Sequence, residues 1–130
     1  EEGVEMVLWA IESAWGGEIL VPKIPSYRIT DVAQAIAPNC RQEVVGIRPG
    51  EKIHEEMITT SDSFNTVDLG SYYAVLPVGG AFTQDEYCLG RKATPVEPGF
   101  AYDSGTNPDF LSVAQLRELI GKHLNNPAKG

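Results

Sequence analysis

Gly16-Gly17-Glu18-Ile19-Leu20-Val21-Pro22-Lys23-Ile24-Pro25, continuing through Thr30-Asp31-Val32-Ala33-Gln34-Ala35-Ile36 to Pro38, sets two kinds of local order side by side. Glu18 to Val21 is a short apolar run between glycines and prolines, which predicts a buried strand ended by Pro22 and Pro25. Thr30 can cap a helix that has Asp31 in its first turn, Val32, Ala33 and Ile36 on one face, and Pro38 as its stop. Strand, loop, helix is the order that results.

Upstream, Val4, Val7, Leu8, Ile11 and Trp15 recur at helical spacing, and Gly16-Gly17 supply a left-handed cap. No N-terminal cap precedes this helix, so the chain is expected to start inside an element. Downstream, Glu43 to Ile47 reads as a second strand, broken by Arg48-Pro49-Gly50 before a short helical pattern at Ile53, Met57 and Ile58. Phe64 to Asp68 and Tyr72 to Leu76 predict paired strands around Gly70, and Pro77 to Pro108 reads as irregular loop. Ser112 and Gln115 form a capping box opening a last helix on Val113, Leu116, Leu119 and Ile120, with Asn125 to Gly130 a frayed tail. The expectation is one α/β domain, an α+β fragment with a small mixed sheet and three to four helices.

A length of 130 residues suits one modest domain, since a nucleotide-binding domain plus a substrate domain needs about twice that. Hydrophobic residues at 42% argue for a folded core. A net charge of -8 with scattered lysines and arginines excludes a nucleic-acid footprint. It leaves room for a diphosphate, because one or two placed cations act locally. Cys40 and Cys88 stand alone, as reduced thiols in a cytoplasmic protein do, and the apolar opening carries Glu5, which fits neither a signal peptide nor a membrane span.

Familiar catalytic and cofactor signatures are absent from this sequence. Gly16-Gly17 and Gly79-Gly80 lack the spacing of a dinucleotide fingerprint, and Gly46 to Lys52 fails as a phosphate loop because Ile53 stands where Ser or Thr is required. His54-Glu55 begins a zinc-protease pattern that Ile58 breaks, so no metal site is expected. Tyr87 is followed four residues later by Arg91 and not Lys, which removes the Tyr-x-x-x-Lys pair, and no residue of this chain is assigned a catalytic role.

The run Gly46-Ile47-Arg48-Pro49-Gly50-Glu51-Lys52-Ile53-His54-Glu55-Glu56-Met57 reads as strand, stiff turn and helix start. That order sets Arg48 at a strand end and Glu51 and Lys52 at a helix mouth. An arginine on a stiff turn can clamp a phosphate with two parallel N–H bonds, and a carboxylate nearby can accept from ribose hydroxyls. The same residues also suit an ordinary solvated turn.

Gly16 to Ala33 followed by Gly46 to Glu55 closely resembles the inverting UDP-N-acetylglucosamine 4,6-dehydratases of the extended short-chain dehydrogenase/reductase superfamily. Tyr102-Asp103-Ser104-Gly105-Thr106-Asn107, Phe110-Leu111 and the last helix look like the C-terminal end of that family, so the resemblance spans about residues 1 to 122. Residues 79 to 99 follow the family least clearly. The resemblance implies a lyase of pseudaminic acid biosynthesis whose NADP, catalytic residues and Rossmann domain lie outside this sequence. It further implies Arg48 as a diphosphate contact, Glu51 as a ribose contact, Lys23 and Lys52 near the nucleotide, and His54 and Asn107 as further candidates. The partners expected are a weakly bound UDP-sugar and a second copy or a Rossmann-domain subunit, with no nucleic acid and no membrane.

Overall fold

The computed structural model describes residues 2–124. The element order is α1 (Glu2–Ser13), β1 (Ile19–Pro22), α2 (Ile29–Ile36), β2 (Glu56–Ile58), β3 (Thr66–Asp68), β4 (Tyr72–Val75), α3 (Gln84–Arg91), β5 (Thr94–Pro95), β6 (Tyr102–Asp103) and α4 (Val113–Leu124). The class is α/β with four helices, as the sequence predicts. All named strands pair antiparallel, and among the described residues parallel pairing is confined to an isolated bridge between Ser26 and Phe110. The chain divides into two compact units, the first of Glu1–Ile24 with Glu56–Asp103 and the second of Pro25–Glu55 with Ser104–Gly130.

The first unit is built on a four-stranded sheet of order β1-β4-β3-β5. β3 and β4 form a hairpin in which Val67 faces Ala74. Its turn is set locally: Gly70 takes a φ of 91°, and its N–H donates to Asp68 Oδ1 at 2.7 Å. Val67, Ala74, Leu76 and Tyr87 form the buried core, with Leu20, Leu69, Phe82, Cys88 and Ala93 packed against it. α3 contributes Tyr87 to that core. Its start is fixed by a reciprocal capping box in which Thr83 Oγ1 accepts from the Glu86 N–H and Glu86 Oε2 accepts from the Thr83 N–H. The buried hydroxyls of Ser63 and Thr66 donate to the carbonyls of Thr60 and Asp62, so neither is left unsatisfied. β2 pairs with β6 and buries Ile58 completely.

In the second unit α2 packs on α4, with Ala35 and Leu116 buried and Arg117 Nη2 donating to the Gln34 carbonyl at 3.2 Å. The predicted capping box of the last helix forms, Ser112 N–H donating to Gln115 Oε1 at 2.9 Å. Ser26 N–H donates to the Asp109 carbonyl and Leu111 N–H to the Ser26 carbonyl, both at 2.8 Å, which ties the two segments of this unit.

Several local expectations are corrected. Residues 43 to 47 form no strand, because their backbone finds no ladder partner among the described residues, and Val44 and Val45 are 94% and 90% exposed. The helix expected at Ile53 to Ile58 is instead a turn region followed by β2, since pairing with β6 satisfies that backbone. α2 starts one residue before Thr30, with Arg28 as its N-cap and no side-chain cap bond, so Thr30 is inside the helix. The predicted loop from Pro77 to Pro108 contains α3, β5 and β6. Asn125 to Gly130, read from the sequence as a frayed tail, lies outside the described residues. Both Cys40 and Cys88 are free.

Candidate functional site

Arg48 to Glu51 is a tight turn in which the Glu51 N–H donates to the Arg48 carbonyl at 3.1 Å. Proline occupies its second position and Gly50 its third, with a φ of 86° that favours glycine, so backbone chemistry fixes this bend without help from a strand or a helix. Arg48 therefore does not end a strand, and Glu51 and Lys52 do not open a helix, as the sequence had suggested. The stiffness expected from Pro49 and Gly50 is found in the turn's own geometry.

Glu51 folds back across the turn. Its Oε1 meets Arg48 Nε at 2.9 Å, while Oε2 accepts from the Arg48 backbone N–H at 2.8 Å. The Arg48 side chain is 86% exposed and open to an approaching anion. Beside the turn lies an open cavity of about 700 Å³ in the same unit. Its apolar lining comes from Ile29, Ile47 and Ile53, and its polar lining from Glu51, Lys52 and Glu55. Each of these residues is exposed, so the cavity is an open recess of the surface.

The remaining candidates are placed differently. His54 is exposed, three residues beyond Glu51. Asn107 is 9% exposed, and both ends of its amide hold the loop, Nδ2 donating to Ser26 Oγ at 3.0 Å and Oδ1 accepting from the Asp109 N–H at 3.1 Å. Ser104 Oγ likewise accepts from the Glu55 N–H at 3.0 Å and supports the segment leading out of the cavity.

Lys23 belongs to the first unit, apart from the other candidates, which all fall in the second. Its Nζ is 2.7 Å from Asp68 Oδ1 and 4.4 Å from the centre of the Tyr73 ring. Burial raises the Tyr73 hydroxyl above its ordinary range against the opposing pull of the Lys23 charge. Tyr87 is the other perturbed tyrosine: burial, reinforced by the Glu18 carboxylate, pushes it up to about 12. Its hydroxyl donates to Glu18 Oε1 at 3.3 Å, which makes it a packing residue of the first unit. The Tyr73, Phe100 and Tyr102 rings cluster at 5.1 and 5.4 Å, a grouping that sequence reasoning missed because its members come from separate elements.

Two local features that could offer a dinucleotide cradle are taken up by the fold itself. Gly80 packs so closely on Pro77 that an added Cβ would lie 2.8 Å from its ring, so that glycine serves the turn and opens no cradle. The start of α3 is closed by the Glu86 carboxylate, which is the wrong charge for a pyrophosphate. Among the described residues, no three of His, Cys, Asp and Glu are grouped to hold a metal.

Residues 1–77 match the family model described as "Polysaccharide biosynthesis protein", and the chain belongs to that family. It is 44% identical over 124 residues to the UDP-N-acetylglucosamine 4,6-dehydratase (inverting) of Campylobacter jejuni, covering 92% of this chain and 37% of that enzyme. It is homologous to a region of that dehydratase. It is also 32% identical over 124 residues to the UDP-glucose 4-epimerase of Rickettsia bellii, covering 92% of this chain and 36% of the epimerase. The X-ray structure of Pen from Bacillus thuringiensis superposes with a TM-score of 0.72 at 25% identity, covering 96% of this chain and 36% of that one. The chain thus spans little more than a third of the length of the proteins it matches. Among the described residues no helix is long and apolar enough to cross a membrane.

Proposed function

We propose that this chain supplies nucleotide-sugar contacts of a cytoplasmic UDP-N-acetylglucosamine-type 4,6-dehydratase of surface-sugar biosynthesis and is not catalytic by itself. The observation that carries this reading is Arg48, exposed on a turn fixed by Pro49 and Gly50 and set beside the cavity. A guanidinium so placed grips a pyrophosphate through charge-assisted bonds, and Lys52 adds a second positive charge along the cavity. The three isoleucines offer an apolar wall to the nucleoside or sugar ring. His54 lies three residues beyond Glu51 on the same exposed stretch, whereas Asn107 holds its own loop to Ser26 and Asp109. Hydride chemistry is assigned to NADP held by residues outside this sequence.

Titration of UDP into the 130-residue chain, followed by protein NMR, tests the reading. Weak binding is expected, with shifts confined to residues around Arg48, and Arg48→Ala is expected to weaken it about tenfold or more. An Arg48→Ala chain that binds UDP as well as the unsubstituted one refutes the site. So does a tightly bound nicotinamide nucleotide or turnover by the chain alone, since either would place the chemistry here.

A second reading, an oligomeric interaction module or a subunit that complements a Rossmann-domain partner, is favoured by a separate observation. Val4, Val7, Leu8 and Ile11 on α1 are 64%, 57%, 57% and 76% exposed, an apolar face that self-association or such a partner would cover.

A further inference from the structure

Trp15 and the start of α3 form a second recess, in the first unit, that the reading of Arg48 does not use. Trp15, Ala81, Phe82 and Glu86 line an open cavity of about 650 Å³ there. Three neighbours hold the indole: Phe82 meets it edge-on at 5.3 Å, Tyr87 lies at 5.1 Å, and Gly90 packs so closely that an added Cβ would stand 2.6 Å from the ring. Even so, 44% of Trp15 stays exposed. An aromatic ring fixed in place and still open to solvent is a surface that loses little freedom when a partner settles on it.

Glu86 supplies the charge. Its Oε2 accepts from the Thr83 N–H at 2.7 Å and from the Thr83 hydroxyl at 2.9 Å, and these bonds hold the carboxyl below its ordinary range, so it is ionised at neutral pH. Among the described residues Oε1 accepts no bond, and no lysine or arginine pairs with this carboxylate. Asp85 adds a second negative charge to the same turn of α3. The Arg91 guanidinium stands 6.0 Å from the indole centre, at the outer limit of cation–π attraction, and leaves the ring open to a closer cation.

Aromatic rings beside an unpaired carboxylate select a cation with a flat body. A guanidinium meets both demands, since it stacks on rings and pairs with a carboxylate through a planar fork, whereas an ammonium is a compact and strongly hydrated point charge. The recess is too open to enclose a free small molecule, which gives up most of its surface to its pocket. A side chain carried by a second protein needs no such enclosure. Val78, on the turn before Ala81, and Leu89, on α3 after Glu86, are 85% and 86% exposed and offer apolar surface in the same stretches of chain. We propose that the recess of Trp15, Phe82 and Glu86 is the seat of an arginine side chain of a partner protein. This inference stands whether or not Arg48 binds a diphosphate.

The test titrates N-acetyl-arginine amide into the 130-residue chain and follows protein NMR. One side chain on an open site should bind with a Kd of about 10 to 100 mM and shift the Trp15 indole N–H and the amides around Phe82 and Glu86. N-acetyl-citrulline amide keeps the shape without the charge and should bind about threefold more weakly or not at all. Glu86→Gln should weaken the arginine probe by about two- to fivefold. It leaves α3 capped, because glutamine serves in the same capping box, and an amide spectrum that overlays the parent away from residues 81 to 91 shows it. Asp85→Asn removes an equal charge one position away and should change the affinity by less than about twofold. Equal binding of the citrulline probe to the unsubstituted chain overturns the inference, and so does a Glu86→Gln chain that binds arginine unchanged. A loss in Asp85→Asn as large as that in Glu86→Gln assigns the effect to net charge and also overturns it. Free arginine that binds more tightly than the capped probe assigns the recess to a small molecule and removes the partner protein.

Discussion

Glu18→Ala is expected to destabilise the first unit by about 2 to 3 kcal/mol at neutral pH. The Glu18 carboxylate accepts from the Trp15 and Gly16 backbone N–H groups, both at 2.7 Å, and from the Tyr87 hydroxyl at 3.3 Å. The two N–H groups are exposed and can turn to water when the acceptor is lost, so each costs no more than about 1 kcal/mol. Tyr87 is 1% exposed, and its hydroxyl, stripped of its partner, adds about 1 kcal/mol more. The sum corresponds to about thirtyfold or more in the folding equilibrium. Urea unfolding followed by tryptophan fluorescence reads it, because Trp9 and Trp15 both lie in this unit. The pH dependence has a definite sign. Burial alone would raise the Glu18 carboxyl, but its hydrogen bonds from the backbone and Tyr87 outweigh this and hold it below the ordinary 4.5. Its contribution is therefore present above the unfolded value of 4.5 and is lost as pH falls through the lower folded value. The gap between parent and variant should be widest at pH 7 and close in acid. Coincident urea curves at pH 7, or a gap that stays constant down to pH 3, would refute the reasoning.

Gly90→Ala places a Cβ at 2.6 and 2.7 Å from the Trp15 ring, which is already wedged against Phe82 and Tyr87 at 5.3 and 5.1 Å. The overpacking, about 1 to 3 kcal/mol, should exceed the ~1 kcal/mol that alanine gains over glycine in a helix. A thermal melt at or above the parent's Tm contradicts this. Sedimentation velocity over a range of concentrations should show association that Leu8→Glu, on the exposed face of α1, abolishes; a strict monomer throughout removes the interaction-module reading.

The elements legible in the sequence are those whose signal is local. β1, the β3–β4 hairpin, α1 and α4 each carry their own periodicity and punctuation, and the observed bounds differ from the expected ones by a few residues. Residues 43 to 47 and 53 to 58 were misread because strand and helix depend there on a distant partner: the first finds none among the described residues, and the second finds β6. α3 was missed for a weaker reason. Thr83 and Glu86 form the same capping pattern as Ser112 and Gln115, but the helix that follows, Gln84-Asp85-Glu86-Tyr87-Cys88-Leu89-Gly90-Arg91, has little apolar periodicity to accompany it. A capping box starts a helix in a polar segment as it does in an apolar one.

The candidate site divides along the same line. Pro49-Gly50 fixes the Arg48 turn through its own backbone preferences, so the bend could be read from two residues, and it survives although the strand and helix expected on either side of it do not form. What a carboxylate on that turn does is not encoded in the same way. In the folded turn Glu51 reaches back to the arginine, a placement that its position in the sequence does not specify. The partner of Lys23 is likewise set from a distance, since its pairing with Asp68 depends on the register of β1, β4 and β3, which no motif around Lys23 specifies. A motif can therefore locate the guanidinium, whereas the partners that tune it are set by the geometry around it. Exchanging Glu51 and Arg48 singly and together is the experiment that separates those two kinds of information.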